Sequence, residues 1–399
     1  MRVLINAASA NMGGALTYLL NVVRQLYARA PDDHFTVVLP TASRPKVEAF
    51  GPFPNVTLID YPHADTGGLA RNYFDQVEIP RMVRRLQADV LFSSTGFGTF
   101  RSPCPQVLLV RNAAYFSPEF QQMYRELGRS LRRNTVRRWL SLASIRAADV
   151  TLFPTRAMQG MVEEWIDLRG RRTEVIHYGF DHEAFAARRA EDARFEQIDR
   201  WRADGYAILL NVSTYAVHKS FEVLVEALPH LKAAGHRVKL VTTTSREKTT
   251  DKAEYDALVR RAEALGVRED WLELGYVPYE ALGSLYARAD VYVFPSFTES
   301  FGHSLVEAMA SGLPVVASDM PVNVEVCEGA GVYFPVFDAA ACAARVGEVL
   351  TAPARRERMR EAALRRAQAF SWQQYVDALM TCLHNLIASE RDEIPDSIG

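Results

Sequence analysis

The sequence lacks the features that would place it in several large classes. No run approaches the roughly 18 apolar residues that a membrane-spanning helix needs. There are only 4 cysteines, Cys104, Cys327, Cys342 and Cys382, without Cys-x-x-Cys spacing. They indicate neither a zinc site nor a disulfide frame and fit buried thiols in a reducing compartment. With 46 Lys+Arg against 48 Asp+Glu, the formal net charge is −2, which gives no basic surplus for nucleic acid. The turn after the first strand has no Gly-x-Gly-x-x-Gly, and the dinucleotide fingerprint fails there. Met1 to Asn6 fits a first strand and not the long apolar segment of a signal peptide, which points to a cytoplasmic protein.

What is present is an ordinary globular composition over 399 residues, 48% apolar and 24% charged, long enough for two or three domains. Strand-like runs cover Arg2 to Asn6, Phe35 to Leu39, Val56 to Ile59, Val90 to Ser93, Gln106 to Val110, Val150 to Phe153 and Glu174 to His177. Helical stretches alternate with them, so the fold class is α/β, with parallel sheets covered by helices. Ala190 to Asp204 is charged and poor in aliphatic residues, as a linker should be. The boundary is therefore expected between about 185 and 205, with a first domain over 1–190 and a second over 205–370. The second opens on Tyr206 to Val212 and continues through Val238 to Thr242, Trp271 to Leu274, Val291 to Phe294, Pro314 to Ala317 and Val332 to Phe334.

The most informative stretch is Phe294-Pro-Ser-Phe-Thr-Glu299-Ser-Phe-Gly302-His-Ser-Leu-Val-Glu307. Pro295 cannot donate to a ladder, so the strand should end before it. From about Gly302 the spacing of Leu305, Val306 and Met309 is helical, and Gly312 with Pro314 supplies the stop. Glu299 then lies in the loop and Glu307 on the helix, and both carboxylates can face one crevice at the carboxyl end of a strand. Open α/β sheets bind ligands there, helix starts attract phosphate, and ionised carboxylates accept hydrogen bonds from sugar hydroxyls. The combination suits a sugar joined to a phosphate. A plain strand-loop-helix with two surface glutamates fits the same residues.

This string, with Ala-x-x-x-Gly-x-Pro-Val-Val-Ala after it, resembles the Glu-x7-Glu signature of retaining nucleotide-sugar glycosyltransferases of the GT-B fold, group 1 or family 4-like. The resemblance implies two Rossmann-like parallel-sheet domains facing across a cleft, with acceptor recognition in the first and the nucleotide sugar in the second. It also implies that Glu299 contacts donor-sugar hydroxyls and Glu307 the ribose, with Ser300, Phe301, Gly302, His303, Ser304 and Leu305 around them. Ser213-Thr-Tyr-Ala-Val-His218-Lys219-Ser220 resembles the family's Gly-Arg-x-x-x-x-Lys-Gly loop, whose Arg and Lys hold the diphosphate. Lys219 matches; Thr214 stands at the arginine position, Ser213 and Ser220 replace glycines, and His218 or Arg111 is the candidate to compensate. Tyr276 and Val277 should flank the base, with Tyr276 as a packed aromatic the alternative. Gly13 and Gly14, where the backbone could approach a ligand or merely turn, match the family's glycine-rich loop. Many relatives have a histidine near Arg111 and Asn112; these two residues either serve the site or hold a turn. The catalytic candidates are thus Lys219, Glu299, Arg111 and Asn112.

By resemblance, His177-Tyr-Gly-Phe-Asp-His-Glu-Ala-Phe185 ends the first domain, and a last helix over 375–399, entered at Ser371-Trp372, packs back on it, with a tail frayed after Glu390. Arg125, Arg129, Arg133 and Arg137 recur every four residues within 121–146 and face only Glu126 in charge. That segment is expected as one basic amphipathic helix that is a solvated face packed on the first domain, a peripheral contact with the cytoplasmic membrane surface, or a hold on an acidic or phosphorylated acceptor. The expected activity is transfer of a sugar, with retention, from a nucleoside diphosphate sugar to a glycan, lipid-linked or small-molecule acceptor, as in surface polysaccharide or glycolipid synthesis. No cofactor beyond that co-substrate is expected and, with no Asp-x-Asp pair in the sequence, no metal bridging its diphosphate. The alternatives are a non-catalytic GT-B binding or partner protein and a sugar-nucleotide epimerase.

Overall fold

The structure is a computed structural model that describes residues 1–11, 13–62, 68–187 and 190–392. The chain divides into two compact units, Met1–Gly179 with Ser371–Gly399, and Phe180–Phe370.

The first unit is built on β1 (Arg2–Asn6), β2 (His34–Pro40), β3 (Val56–Tyr61), β4 (Val90–Ser93), β5 (Gln106–Leu109), β6 (Val150–Phe153) and β7 (Arg172–Val175). The order is β3-β2-β1-β4-β5-β6-β7, and every neighbouring pair is parallel. Its central strands are short apolar runs, and Leu4, Leu91, Phe92, Val107 and Leu108 are fully buried, as in sheets covered on both faces. The edge strand β7 lies two residues earlier than Glu174 to His177, because its ladder to β6 pairs Val150 with Arg172. Its exposure alternates along Arg172–Val175, so the half-covered edge shows no apolar run to read.

The second unit repeats the winding with β8 (Ala207–Asn211), β9 (Val238–Thr242), β10 (Trp271–Glu273), β11 (Val291–Phe294), β12 (Val315–Ser318) and β13 (Gly331–Phe334), in the order β10-β9-β8-β11-β12-β13. The strand order reverses between β1 and β4 in the first unit and between β8 and β11 in the second. These are the switch points outside which such sheets bind ligands.

The boundary falls at Gly179 and Phe180, ahead of the 185–205 range. Gly179 is held against the last helix so closely that a Cβ would lie 2.1 Å from the Trp372 nitrogen. Phe185 packs its ring against Tyr279 and Tyr286 in the second unit, with centroids 6.1 and 5.9 Å apart. The charged stretch expected as a linker is folded there too: Phe195 and Ile198 are buried, and Arg288 bridges Glu191 and Asp199 at 2.7 and 2.9 Å. Glu191, Asp192, Arg194 and Asp199 are all in ion pairs, which composition alone does not reveal.

The last helix, Trp372–Asp392, packs on the helix Gly13–Arg29. Tyr18 and Tyr375 share a 2.6 Å hydrogen bond between buried hydroxyls, and Arg29 donates twice to Asp377 at 2.5 Å. The tail expected to fray lies, beyond Asp392, outside the described residues.

The segment 121–146 is not one helix. Pro118–Glu126 and Arg132–Ala147 are separate helices, interrupted around Gly128, whose φ of +64° suits glycine. The four-residue arginine repeat therefore runs across a break, and Arg125 and Arg129 do not share a stripe with Arg133 and Arg137.

Candidate functional site

In the second unit the two strands at the switch point each deliver a loop. After β11, Pro295 ends the ladder and the chain reaches Gly302, with φ +83°, before the helix His303–Ala310. The helix thus begins one residue after Gly302. A Cβ at Gly302 would sit 2.9 Å from Leu305 Cδ1, so this position demands glycine both for its backbone and for space. After β8 the chain makes the short turn Val217–Lys219 and enters the helix Phe221–Ala233 through Ser220, at φ +52°. Where the resembled loop has a glycine, serine thus adopts the left-handed conformation glycine would favour.

The two loops are tied together. Phe297 N–H donates to the His218 carbonyl at 3.0 Å, and Lys219 Nζ donates to Glu299 Oε1. Burial pushes the Glu299 carboxyl upward, but the Lys219 ammonium, His218 and hydrogen bonds from Lys219 and Ser296 outweigh it and hold it below the ordinary carboxylate range. His218 is pushed down to about 4 by burial and by the Lys219 charge, so it is neutral at neutral pH. It cannot replace the positive charge that an arginine would bring; the cation in this loop is Lys219. Thr214 is exposed, while Ser213 anchors the loop through its N–H to Thr243 Oγ1 at 3.0 Å.

Glu307 lies on the helix that follows Glu299. The fully buried Tyr286 donates its hydroxyl to Glu307 Oε2 at 2.8 Å, and burial of the carboxyl raises it to about 7 despite that bond. Glu307 is therefore poised between acid and carboxylate near neutral pH, while Glu299 is held ionised. Gly275, at φ +68°, precedes Tyr276, which is 68% exposed, and Val277, which is buried. Ser300, His303 and Ser304 are part-exposed beside Glu299, whereas Phe301 and Leu305 are buried, so these two offer a ligand only backbone.

Two residues of this site escaped the sequence. Arg194, placed in the supposed linker, donates to the carbonyls of Leu274 and Tyr276 at 2.5 and 3.0 Å and fixes that loop. Asp192 in turn orients its guanidinium, with Oδ1 2.9 Å from Nε. Tyr286 ends a helix with no marker of its role. The Glu307 pairing is visible only in three dimensions.

The remaining candidates belong to the first unit. Gly13, at φ +57°, and Gly14 begin the helix after β1 and are exposed. Asn112 is exposed and accepts from Ala114 N–H at 3.2 Å, a turn-capping duty, and the Arg111 guanidinium lies 5.8 Å from the Tyr18 ring centre. At the end of β1, Asn6 and Arg71 both donate at 2.8 Å to the buried Asp75, which sits in a π-helical turn, Phe74–Glu78. No motif marked that cluster. Among the described residues no group of three or more His, Cys, Asp or Glu could hold a metal ion.

This architecture of two parallel, doubly wound sheets defines a class, the GT-B fold. The glycosyltransferase family 4 pattern matches residues 12–184, and the glycosyl transferases group 1 pattern matches residues 193–366. Between them they span most of the chain, which belongs to this group 1, family 4-like set of GT-B glycosyltransferases. The O-antigen chain mannosyltransferase B of Escherichia coli is 41% identical over 109 residues, covering 27% of this chain and 29% of that protein. The D-inositol 3-phosphate glycosyltransferase of Salinispora tropica is 28% identical over 261 residues, covering 63% of this chain and 54% of that one. The matches thus span less than two thirds of either relative. Anabaena HepE, solved in complex with UDP and glucose, superposes with a TM-score of 0.70 at 18% identity, over 96% of this chain and 100% of its own.

Proposed function

We propose that the protein transfers a sugar from a nucleoside diphosphate sugar to an acceptor hydroxyl, with retention at the anomeric carbon. The observation that carries this reading is the Lys219–Glu299 pair, which joins the loops after β8 and β11 at the switch point, with Glu307 on the helix beyond. The ammonium has three donors; one meets Glu299, and the others suit the diphosphate oxygens on which charge develops as the sugar leaves. Glu299, ionised, accepts from donor-sugar hydroxyls and fixes the sugar against that phosphate. Glu307 accepts from the ribose, and the loop held by Arg194 flanks the base. The positive end of the helix His303–Ala310 adds electrostatic support. The UDP seen with Anabaena HepE and the family membership favour a nucleotide-sugar donor. The mannosyl and inositol phosphate relatives favour a hexosyl group and a polysaccharide, glycolipid or small polyol acceptor. On this reading the donor dictates a cytoplasmic site of action.

A second reading, a relative that binds the donor without transferring it, is favoured by Thr214 and by the neutrality of His218, which leave Lys219 without a cationic neighbour in its loop. Thermal stabilisation by a panel of nucleoside diphosphate sugars identifies the donor. Incubation with that donor and candidate acceptors, followed by assignment of the product's anomeric configuration, tests transfer with retention. Stabilisation without any product would favour the second reading. An inverted product would refute retention.

A further inference from the structure

The helix Arg132–Ala147 turns an unusual face to solvent. Val136 and Trp139, one turn apart, are 57% and 62% exposed. Arg132 and Arg133 are exposed at one end of this ridge and Arg146 at the other. No carboxylate lies on the helix. The two acids of the preceding segment are engaged before the break, Glu119 by the Ser117 hydroxyl and Glu126 by the Gln122 amide, both at 2.8 Å. The opposite side of the helix is core, with Leu142 and Ile145 buried. Arg138 also turns inward, its guanidinium 3.7 Å from the Trp165 ring centre, so it belongs to the packing and not to the exposed face.

We propose that this face seats the first unit on an anionic phospholipid surface. Tryptophan settles at the level of the headgroups, where its ring is half in apolar surroundings and its N–H remains wet. Arginines on either side meet lipid phosphates and the negative surface potential, and an apolar ridge without carboxylates meets no repulsion there. A helix face of this kind lies in the interface and does not cross it. In agreement with that, no described helix is long and apolar enough to span a bilayer. The seat is independent of the transfer reaction proposed above and is tested without it.

The test is co-flotation of the full chain with vesicles of phosphatidylcholine alone or mixed with phosphatidylglycerol, at low and raised salt, alongside tryptophan emission. The expected result is binding to the anionic vesicles only, weakened by salt, with a blue shift of emission. Arg132→Gln with Arg133→Gln should weaken partitioning roughly thirtyfold, about fivefold for each charge near an anionic surface. Trp139→Ala should abolish the blue shift. These three side chains are exposed, and unchanged melting of the variants checks the fold. Equal binding to both vesicle types, or anionic binding indifferent to all three substitutions, would overturn the proposal. So would a concentration-dependent dimer that Trp139→Ala dissolves, since a second copy would then cover the ridge.

Discussion

Replacing Glu307 with glutamine removes a titration whose effect on stability can be worked out from its surroundings. In the folded chain burial raises this carboxyl from its ordinary 4.5 to about 7. The unfolded chain therefore releases the proton first. Between about pH 4.5 and 7 the folded state holds more protons, and by linkage stability falls as the pH rises across that window. At 1.36 kcal/mol per tenfold change, the full loss above pH 7 is about 3 kcal/mol, an upper figure for a carboxyl that local relaxation can rehydrate. Glu307→Gln keeps an oxygen for the Tyr286 hydroxyl and has no proton to lose. Denaturant unfolding of both proteins from pH 5 to 8, followed through the transition of the second unit, should give curves that diverge with pH, the wild type losing about 2.5 kcal/mol relative to the variant over that range. Parallel curves would refute the buried, raised carboxyl. The same titration reaches binding: a nucleotide sugar has no phosphate ionising near neutrality, so its affinity should rise with pH through about 7 in the wild type and stay flat in Glu307→Gln.

Other outcomes follow from neighbouring residues. Lys219→Met leaves Glu299 without its cation and should lower transfer by roughly 10²–10³ in kcat; steady-state kinetics with an identified donor reads this, and unchanged turnover would remove Lys219 from the mechanism. Gly302→Ala places a side chain at φ +83° and 2.9 Å from Leu305 Cδ1, and should cost about 1–3 kcal/mol in a denaturant titration while weakening donor binding in calorimetry. Ser220→Gly should do the reverse: relief of roughly 1–2 kcal/mol at a left-handed residue exceeds the added freedom of glycine when unfolded, for a net gain of up to about 1 kcal/mol by the same titration.

Much of the architecture was legible because both sheets are covered on both faces, so their central strands are unbroken apolar runs that match the ladders within a residue or so. The motif around Glu299 was legible for a related reason: Pro295, Gly302 and Gly312 punctuate it, and each is demanded by local geometry. Charge was the poorer guide. Ala190 to Asp204 has a linker's composition, yet Arg194, Asp199 and their partners are paired inside a folded unit, and sequence does not distinguish a paired charge from a solvated one. The arginines from 125 to 137 keep a helical period across Gly128, so periodicity joined what the backbone separates. Tyr286 had no signal, since its role depends on a hydroxyl meeting a carboxylate 21 residues away in sequence. His218 was legible as a residue but not as a neutral one, because its protonation is set by burial and by Lys219.

The chain route has a consequence for biosynthesis. The second unit is one uninterrupted segment, Phe180–Phe370, whereas the first is closed by a helix that follows that segment in the chain. Tyr18 waits for Tyr375, and Arg29 for Asp377, until the whole intervening second unit has left the ribosome. The half that begins first is therefore finished last. In the interval the helix Gly13–Arg29 presents Tyr18 and its apolar neighbours to water, a surface that a chaperone would have reason to hold. Removal of the helix Trp372–Asp392 alone would strand the nascent protein in that state, even though the loops after β8 and β11 are intact.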